Sequence, residues 1–152
     1  TVEYMAPEQC LSDPVDARTD VFGLGAVMYR AITGSLLVEG GESMGVRLAK
    51  QVLTVPAWPR DVDEGIDPSV EAIVMRAVRK DPAQRYETMS SLLRDVRTAL
   101  AGDAVAPIDR SLEDVYPAKT PLAREVSTAF AKSLRESEDR ESLPPWLRPS
   151  NE

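Results

Sequence analysis

The sequence TDVFGLGAVMYRAITG, at residues 19–34, decides the fold of this chain. It predicts a helix that begins near Thr19 or Asp20, either of which can cap the first free N–H groups, and that stops near Gly34. Apolar side chains cover most of the circumference of this helix, so we expect it to be buried on all sides, as the central helix of a helical domain. Two internal glycines lower helix propensity and therefore favour a close backbone approach: Gly23 and Gly25.

Three further helices are predicted from apolar residues that recur with the helical period. The first covers about 43–53, and Pro56 and Pro59 after it predict an extended loop. The second starts at Asp67-Pro68, a capping carboxylate followed by proline in the first turn, and ends near 80–82. The third follows Thr88 and stops at Gly102. Residues 1–18 show no sustained period and are expected to be a loop.

The composition changes after Gly102, and we place a domain boundary there. Residues 103–152 are richer in proline and glutamate and carry few large apolar residues, so we expect this tail to be partly disordered and marginal to the fold. One helix, near 121–135, would pack through a stripe of four side chains: Leu122, Val126, Phe130 and Leu134.

The charge and the cysteine count exclude several classes of function. The net charge of −7 argues against a protein that coats nucleic acid, because such a protein needs an excess of Lys and Arg. The single cysteine, Cys10, rules out a disulfide or a thiolate zinc site within the chain and favours a cytoplasmic location. No histidine is present, which excludes a Ser-His-Asp or Cys-His site, and no apolar run is long enough to span a membrane.

Three short strings occur in an order typical of one family. They are TVEYMAPE at residues 1–8, DARTDVFGLG at 16–25 and DPAQRY at 81–86. The first resembles the end of a protein kinase activation segment, with its A-P-E triplet. The second resembles the start of kinase helix F, and the third the turn between helices H and I. Residues 1 to about 102 therefore resemble the helical C-terminal lobe of a bacterial eukaryotic-like (Hanks-type) serine/threonine protein kinase.

The resemblance implies a role for five residues. Thr1 would help to select a Ser or Thr acceptor, and Tyr4 would belong to the same substrate loop, as a packing residue rather than a phosphorylation site. Glu8 and Arg85 would form a buried ion pair that fixes the loop, whereas spacing alone would leave them as solvated surface charges. Asp20 would support the catalytic loop, or act only as a helix cap.

The motifs that perform phosphoryl transfer are absent from the sequence: the V-A-I-K lysine, the glycine-rich loop, H-R-D and D-F-G. The family places all of them before the A-P-E triplet, so we expect the N-terminal lobe and the catalytic loop to be missing from this chain. The resemblance implies a parent transferase that uses ATP and magnesium and phosphorylates proteins. The chain itself would hold no catalytic residue, metal or cofactor. The alternative is a non-catalytic, kinase-like adaptor that binds other proteins.

Overall fold

The computed structural model describes residues 2–111 and 113–136, and these residues form a helical domain without strands, as predicted. The described part contains seven α-helices: α1 (Pro7–Cys10), α2 (Ala17–Thr33), α3 (Met44–Leu53), α4 (Pro59–Val62), α5 (Pro68–Ala77), α6 (Met89–Leu100) and α7 (Pro121–Glu136). The described part also contains two 3₁₀ turns, at Val2–Tyr4 and Pro82–Gln84. Thr1 and the proline-rich stretch at 143–149, predicted to be extended or disordered, lie outside the described residues.

The start of α2 was predicted slightly too late, because Asp16 caps the helix rather than Thr19 or Asp20. The Asp16 carboxylate accepts a hydrogen bond of 2.8 Å from the backbone N–H of Arg18. Thr19 lies in the first turn, where its hydroxyl donates to the Glu8 carboxylate at 2.9 Å. A capping carboxylate three residues upstream therefore frees the Thr19 side chain for a buried contact.

Helix α2 packs against α5 but is not buried on all sides, contrary to the prediction. Its inner face lies in the core, with Phe22 and Tyr29 almost fully buried. On the opposite face Leu24 is 39% exposed and Val27 is 52% exposed. No element among the described residues covers this face. Helix α2 is therefore exposed on one side although most of its surface is apolar.

The two glycines of α2 differ in their surroundings. A methyl group at Gly25 would lie 2.7 Å from the Ala77 Cβ of α5, so the close approach of the two helices requires glycine there. A methyl group at Gly23 would meet only the Tyr4 carbonyl oxygen, at 3.9 Å. The expected close approach therefore holds at Gly25 and not at Gly23.

Two short helices lie where loops were expected. Helix α1 falls within residues 1–18, and α4 starts at the proline that was expected to open an extended loop. Each begins with proline, at Pro7 and Pro59, whose fixed φ suits the first helical position and whose missing N–H costs nothing there. Both helices are single turns, too short to leave a periodic apolar pattern.

The described residues after Gly102 contribute to the core, so the expectation that they are marginal to the fold is wrong. We call its described residues, 104–111 and 113–136, the strap. Tyr116, Ala123 and Leu134 of the strap are buried in one apolar cluster with residues of α3. Low apolar content did not prevent docking, because a few well-placed side chains meet the apolar face of α3.

Helix α7 occupies the predicted position but docks through a different stripe. Val126, Phe130 and Leu134 pack against the body as expected, in the cluster that includes α3. Leu122 is instead 58% exposed, and Ala123 is buried in its place. The small Ala123 side chain lets the two helix backbones approach closely. The domain boundary at residue 102 stays a prediction.

None of the helices in the described ranges combines the length and the apolar character that a bilayer crossing requires.

Candidate functional site

The structure brings Glu8 and Arg85 together in a buried ion pair across 77 residues of chain. Arg85 Nη1 lies 2.6 Å from Glu8 Oε1, and Nη2 lies 2.9 Å from Oε2. Both side chains are almost completely removed from solvent. This bidentate geometry is the strongest form of arginine–carboxylate contact.

The remaining donors of Arg85 also have partners, so the buried guanidinium is fully hydrogen-bonded. Its Nε donates to the Arg79 carbonyl at 2.6 Å, and Nη2 donates to the Lys80 carbonyl at 2.9 Å. Nη1 reaches the Arg18 carbonyl at 3.1 Å, and the Phe22 ring lies 4.9 Å from the guanidinium. The turn at 82–84 places Arg85 where it connects α1 to the start of α2 and to the residues that follow α5.

The N-terminal loop, which we define as residues 2–6, is held by the side chain of Gln51 on α3. Gln51 Nε2 donates to the Met5 carbonyl at 2.8 Å and to the Glu3 carbonyl at 3.3 Å. The Tyr4 hydroxyl accepts a 2.8 Å hydrogen bond from Arg30, and its ring packs against the core. Tyr4 thus has a packing contact in the structure, and its role in a substrate loop stays a prediction.

Asp20 stands apart from the ion pair. It is exposed on α2, on the same helix face as Leu24 and Val27, and its carboxylate makes no hydrogen bond to the described residues. Its proposed support of a catalytic loop therefore has no structural partner in this part of the chain and stays a prediction, as does the role of Thr1.

Lys80 is fully buried, although no sequence pattern predicted a site there. Its ammonium group donates to the Gln51 carbonyl at 2.6 Å, and its backbone N–H donates to the Asp114 carboxylate at 2.7 Å. Burial lowers the pKa of Lys80 to about 8, and the Asp114 and Cys10 side chains oppose this shift. A lysine ahead of a D-P turn carries no sequence signal for burial, because lysines are almost always exposed.

Asp13 is the second buried group that was missed. It accepts hydrogen bonds from the Tyr116 hydroxyl at 2.7 Å, the Lys119 N–H at 2.9 Å and the Thr120 N–H at 3.2 Å. Burial alone would raise the pKa of the Asp13 carboxyl, but these hydrogen bonds outweigh it and lower the pKa. The carboxylate thus attaches the strap to the chain just after α1.

An open groove of about 260 Å³ lies beside the N-terminal loop. Its walls include Val2 and Glu3 on the loop side and Arg47 and Gln51 on α3. Glu3 and Arg47 face each other at 3.7 Å across it. The groove and the N-terminal loop, which leads into α1 and the buried ion pair of Glu8, form the candidate site.

The architecture is that of the helical C-terminal lobe of the protein kinase fold. No protein-family model matches the chain, but individual proteins do. The serine/threonine-protein kinase PknB of Mycobacterium leprae is 36% identical over 96 residues, which are 63% of this chain and 15% of that protein. The probable serine/threonine-protein kinase PknB of Corynebacterium glutamicum is 36% identical over 139 residues, covering 86% of this chain and 21% of that protein.

A third relative is the serine/threonine-protein kinase PksC of Streptomyces coelicolor, which is 30% identical over 107 residues, 70% of this chain and 19% of that protein. The chain is thus a homologue of bacterial serine/threonine protein kinases. It spans about a fifth or less of the length of these relatives.

Proposed function

We propose that this chain is part of a serine/threonine protein kinase that transfers the γ-phosphate of ATP to Ser or Thr residues of proteins. The observation that carries the proposal is the buried bidentate pair of Glu8 and Arg85 beside the N-terminal loop. Phosphoryl transfer depends mainly on positioning and electrostatic stabilisation, so a rigid surface for the acceptor protein contributes directly to the rate. In this proposal the chain supplies that surface.

ATP and magnesium belong to the whole kinase in this proposal, and we assign none of this chain's residues to them. The described residues hold no group of three acidic or cysteine side chains suited to a metal ion. The partner of the chain is then the rest of a kinase domain. It would cover the exposed face of α2, where Asp20 lies next to Leu24 and Val27.

A chimera tests the proposal. This chain would replace the matching segment of the Corynebacterium glutamicum relative, and transfer from labelled ATP to a generic protein substrate would be measured. We expect transfer, and we expect Glu8→Gln to lower it at least about tenfold, because a lost buried partner leaves the Arg85 charge unpaired. Asp61→Asn is the control, since it removes a carboxylate from the exposed pair with Arg110. A well-folded chimera that transfers no phosphate contradicts the proposal, and so does a chimera whose phosphate transfer is unchanged by Glu8→Gln.

The isolated chain should transfer no phosphate. The expectation follows from the missing lysine, catalytic aspartate and magnesium ligand, which the family places before the A-P-E triplet. Purified chain, labelled ATP, magnesium and a protein substrate would show only background transfer. Transfer that is abolished by changing a residue of this chain would contradict it.

A non-catalytic adaptor is the second candidate, and the strap favours it. Tyr116, Ala123 and Leu134 complete an apolar cluster with residues of α1 and α3, so the described part could fold without a second lobe. If the chain is an adaptor, the isolated chain should unfold cooperatively and the chimera should be inactive. If the chain is part of a kinase, the chimera should be active.

A further inference from the structure

The strap is attached to the domain through two buried carboxylates. Asp13 accepts three hydrogen bonds from strap residues, from the Tyr116 hydroxyl and from the backbone N–H groups of Lys119 and Thr120. The Asp114 carboxylate of the strap accepts a 2.7 Å hydrogen bond from the backbone N–H of Lys80. Buried hydrogen bonds to ionised carboxylates are among the stronger ones in proteins, so docking of the strap is specific rather than a loose apolar contact.

One hydrogen-bonded path leads from the strap to the N-terminal loop. Asp114 holds the backbone of Lys80, and the Lys80 ammonium donates to the Gln51 carbonyl at 2.6 Å. The Gln51 side chain in turn donates to the carbonyls of Met5 and Glu3. Lys80 and Gln51 are both buried, so water does not replace these contacts easily.

A second, apolar connection runs in parallel through α3. Ala123 and Leu134 of α7 pack in the same buried cluster as Val46, Ala49 and Leu53 of α3. Gln51, which holds the N-terminal loop, lies on this same helix. The position of α3 under α7 therefore also sets the position of the Gln51 amide.

We propose that docking of the strap positions the N-terminal loop, with Lys80 and Gln51 as the positioning residues that connect the two. One consequence rests on the proposed function: when the strap detaches from α3, the surface that receives the acceptor protein becomes disordered. The strap is then a regulatory element within the chain.

Hydrogen exchange of the whole chain tests the proposal without any kinase activity, so its outcome is independent of the proposed function. The amides of Met5 and Cys10, which donate to the Val2 and Ala6 carbonyls, report on the loop and on α1. Tyr116→Phe removes one hydrogen bond to Asp13, and we expect these two amides to exchange about fivefold faster.

Tyr86→Phe is the matched control. It removes a tyrosine hydroxyl that also donates to a carboxylate at 2.7 Å, that of Asp95, on the α6 side of the domain. We expect it to leave Met5 and Cys10 exchange unchanged once global stability is corrected with core amides of α5. Equal acceleration in both variants, or acceleration confined to α7 in Tyr116→Phe, overturns the proposal.

The route through Gln51 is tested by a double-variant cycle. Gln51→Leu removes the amide contacts to the loop, so Tyr116→Phe added to it should have little further effect on Met5 exchange. If Tyr116→Phe still accelerates Met5 exchange about fivefold in the Gln51→Leu protein, Gln51 does not connect the strap to the loop. Should Tyr116→Phe fail to fold, Asp13→Asn weakens the same attachment while keeping the side-chain shape, with Asp95→Asn as its control.

Discussion

The Tyr116 hydroxyl donates a 2.7 Å hydrogen bond to the Asp13 carboxylate across 103 residues of chain. This contact joins the residues just after α1 to the strap that follows the last core helix, α6. It is buried, and it is reinforced by two backbone N–H groups from the turn that starts α7. The segment just after α1 and the strap are therefore parts of one structural unit.

Removing residues 103–152 should destabilise the domain strongly. The truncation exposes the α3 face that Tyr116, Ala123 and Leu134 cover, and it leaves the Asp13 carboxylate without its donors. We expect a loss of at least about 3 kcal/mol in the free energy of unfolding, since each large buried apolar side chain contributes about 1.5–3 kcal/mol. Thermal or denaturant unfolding measures it. A small loss on this truncation would contradict the packing of the strap.

Glu8→Gln should cost about 3–5 kcal/mol of unfolding free energy, because it leaves the buried Arg85 guanidinium without its charge partner. Asp61→Asn breaks an exposed pair with Arg110 and should cost less than about 1 kcal/mol. Denaturant unfolding of the two variants measures the difference. Equal losses would mean that burial does not distinguish the two ion pairs.

Stability should rise between pH 7 and pH 9 because of Lys80. Burial lowers its pKa from 10.5 to about 8 in the folded chain, so in this range the unfolded chain binds more protons than the folded chain. The unfolding free energy should therefore increase by about 1 kcal/mol across this range. Lys80→Met should abolish the increase, and an increase that persists in this variant would contradict the assignment.

The Cys10 thiol should oppose this rise at higher pH. Burial raises its pKa from 9.0 to about 12, so above pH 9 the thiol ionises in the unfolded chain first and favours unfolding. In Cys10→Ala the increase should therefore continue further into the alkaline range than in the natural sequence. Identical profiles for the two proteins would show that the thiol does not contribute.

Gly25→Ala should destabilise the domain although alanine favours helices. The added methyl group would lie 2.7 Å from the Ala77 Cβ and 2.8 Å from a Val78 methyl group, and overpacking of this kind costs about 1–3 kcal/mol. Gly23→Ala is the matched control, because nothing closer than the Tyr4 carbonyl at 3.9 Å meets it. It should be neutral or stabilising by up to about 1 kcal/mol. Melting curves that rank the two variants in the opposite order would contradict the packing of α2 on α5.

The elements predicted best were those whose signals are local. Asp67-Pro68 starts α5 as predicted, since the Asp67 carboxylate accepts the Ser69 and Val70 N–H groups, and Thr88 caps α6 in the same way. Capping requires only side chains within three residues of the helix start, so the sequence contains all the information. The partners Glu8 and Arg85 were suggested by their motifs, not by spacing, because a contact across 77 residues leaves no local signal.

The amino-acid sequence by itself determined the all-helical class, the four long core helices, the absence of histidine and the absence of a disulfide within the chain. Only the tertiary structure decided that Lys80 and Asp13 are buried, that Gly25 and not Gly23 meets α5, and that the strap docks on α3. The physical reason is that burial of a charged group is tolerated only where its hydrogen-bond partners converge. The Lys80 ammonium donates to the Gln51 carbonyl, 29 residues away along the chain, and the Lys80 backbone N–H donates to the Asp114 carboxylate, 34 residues away.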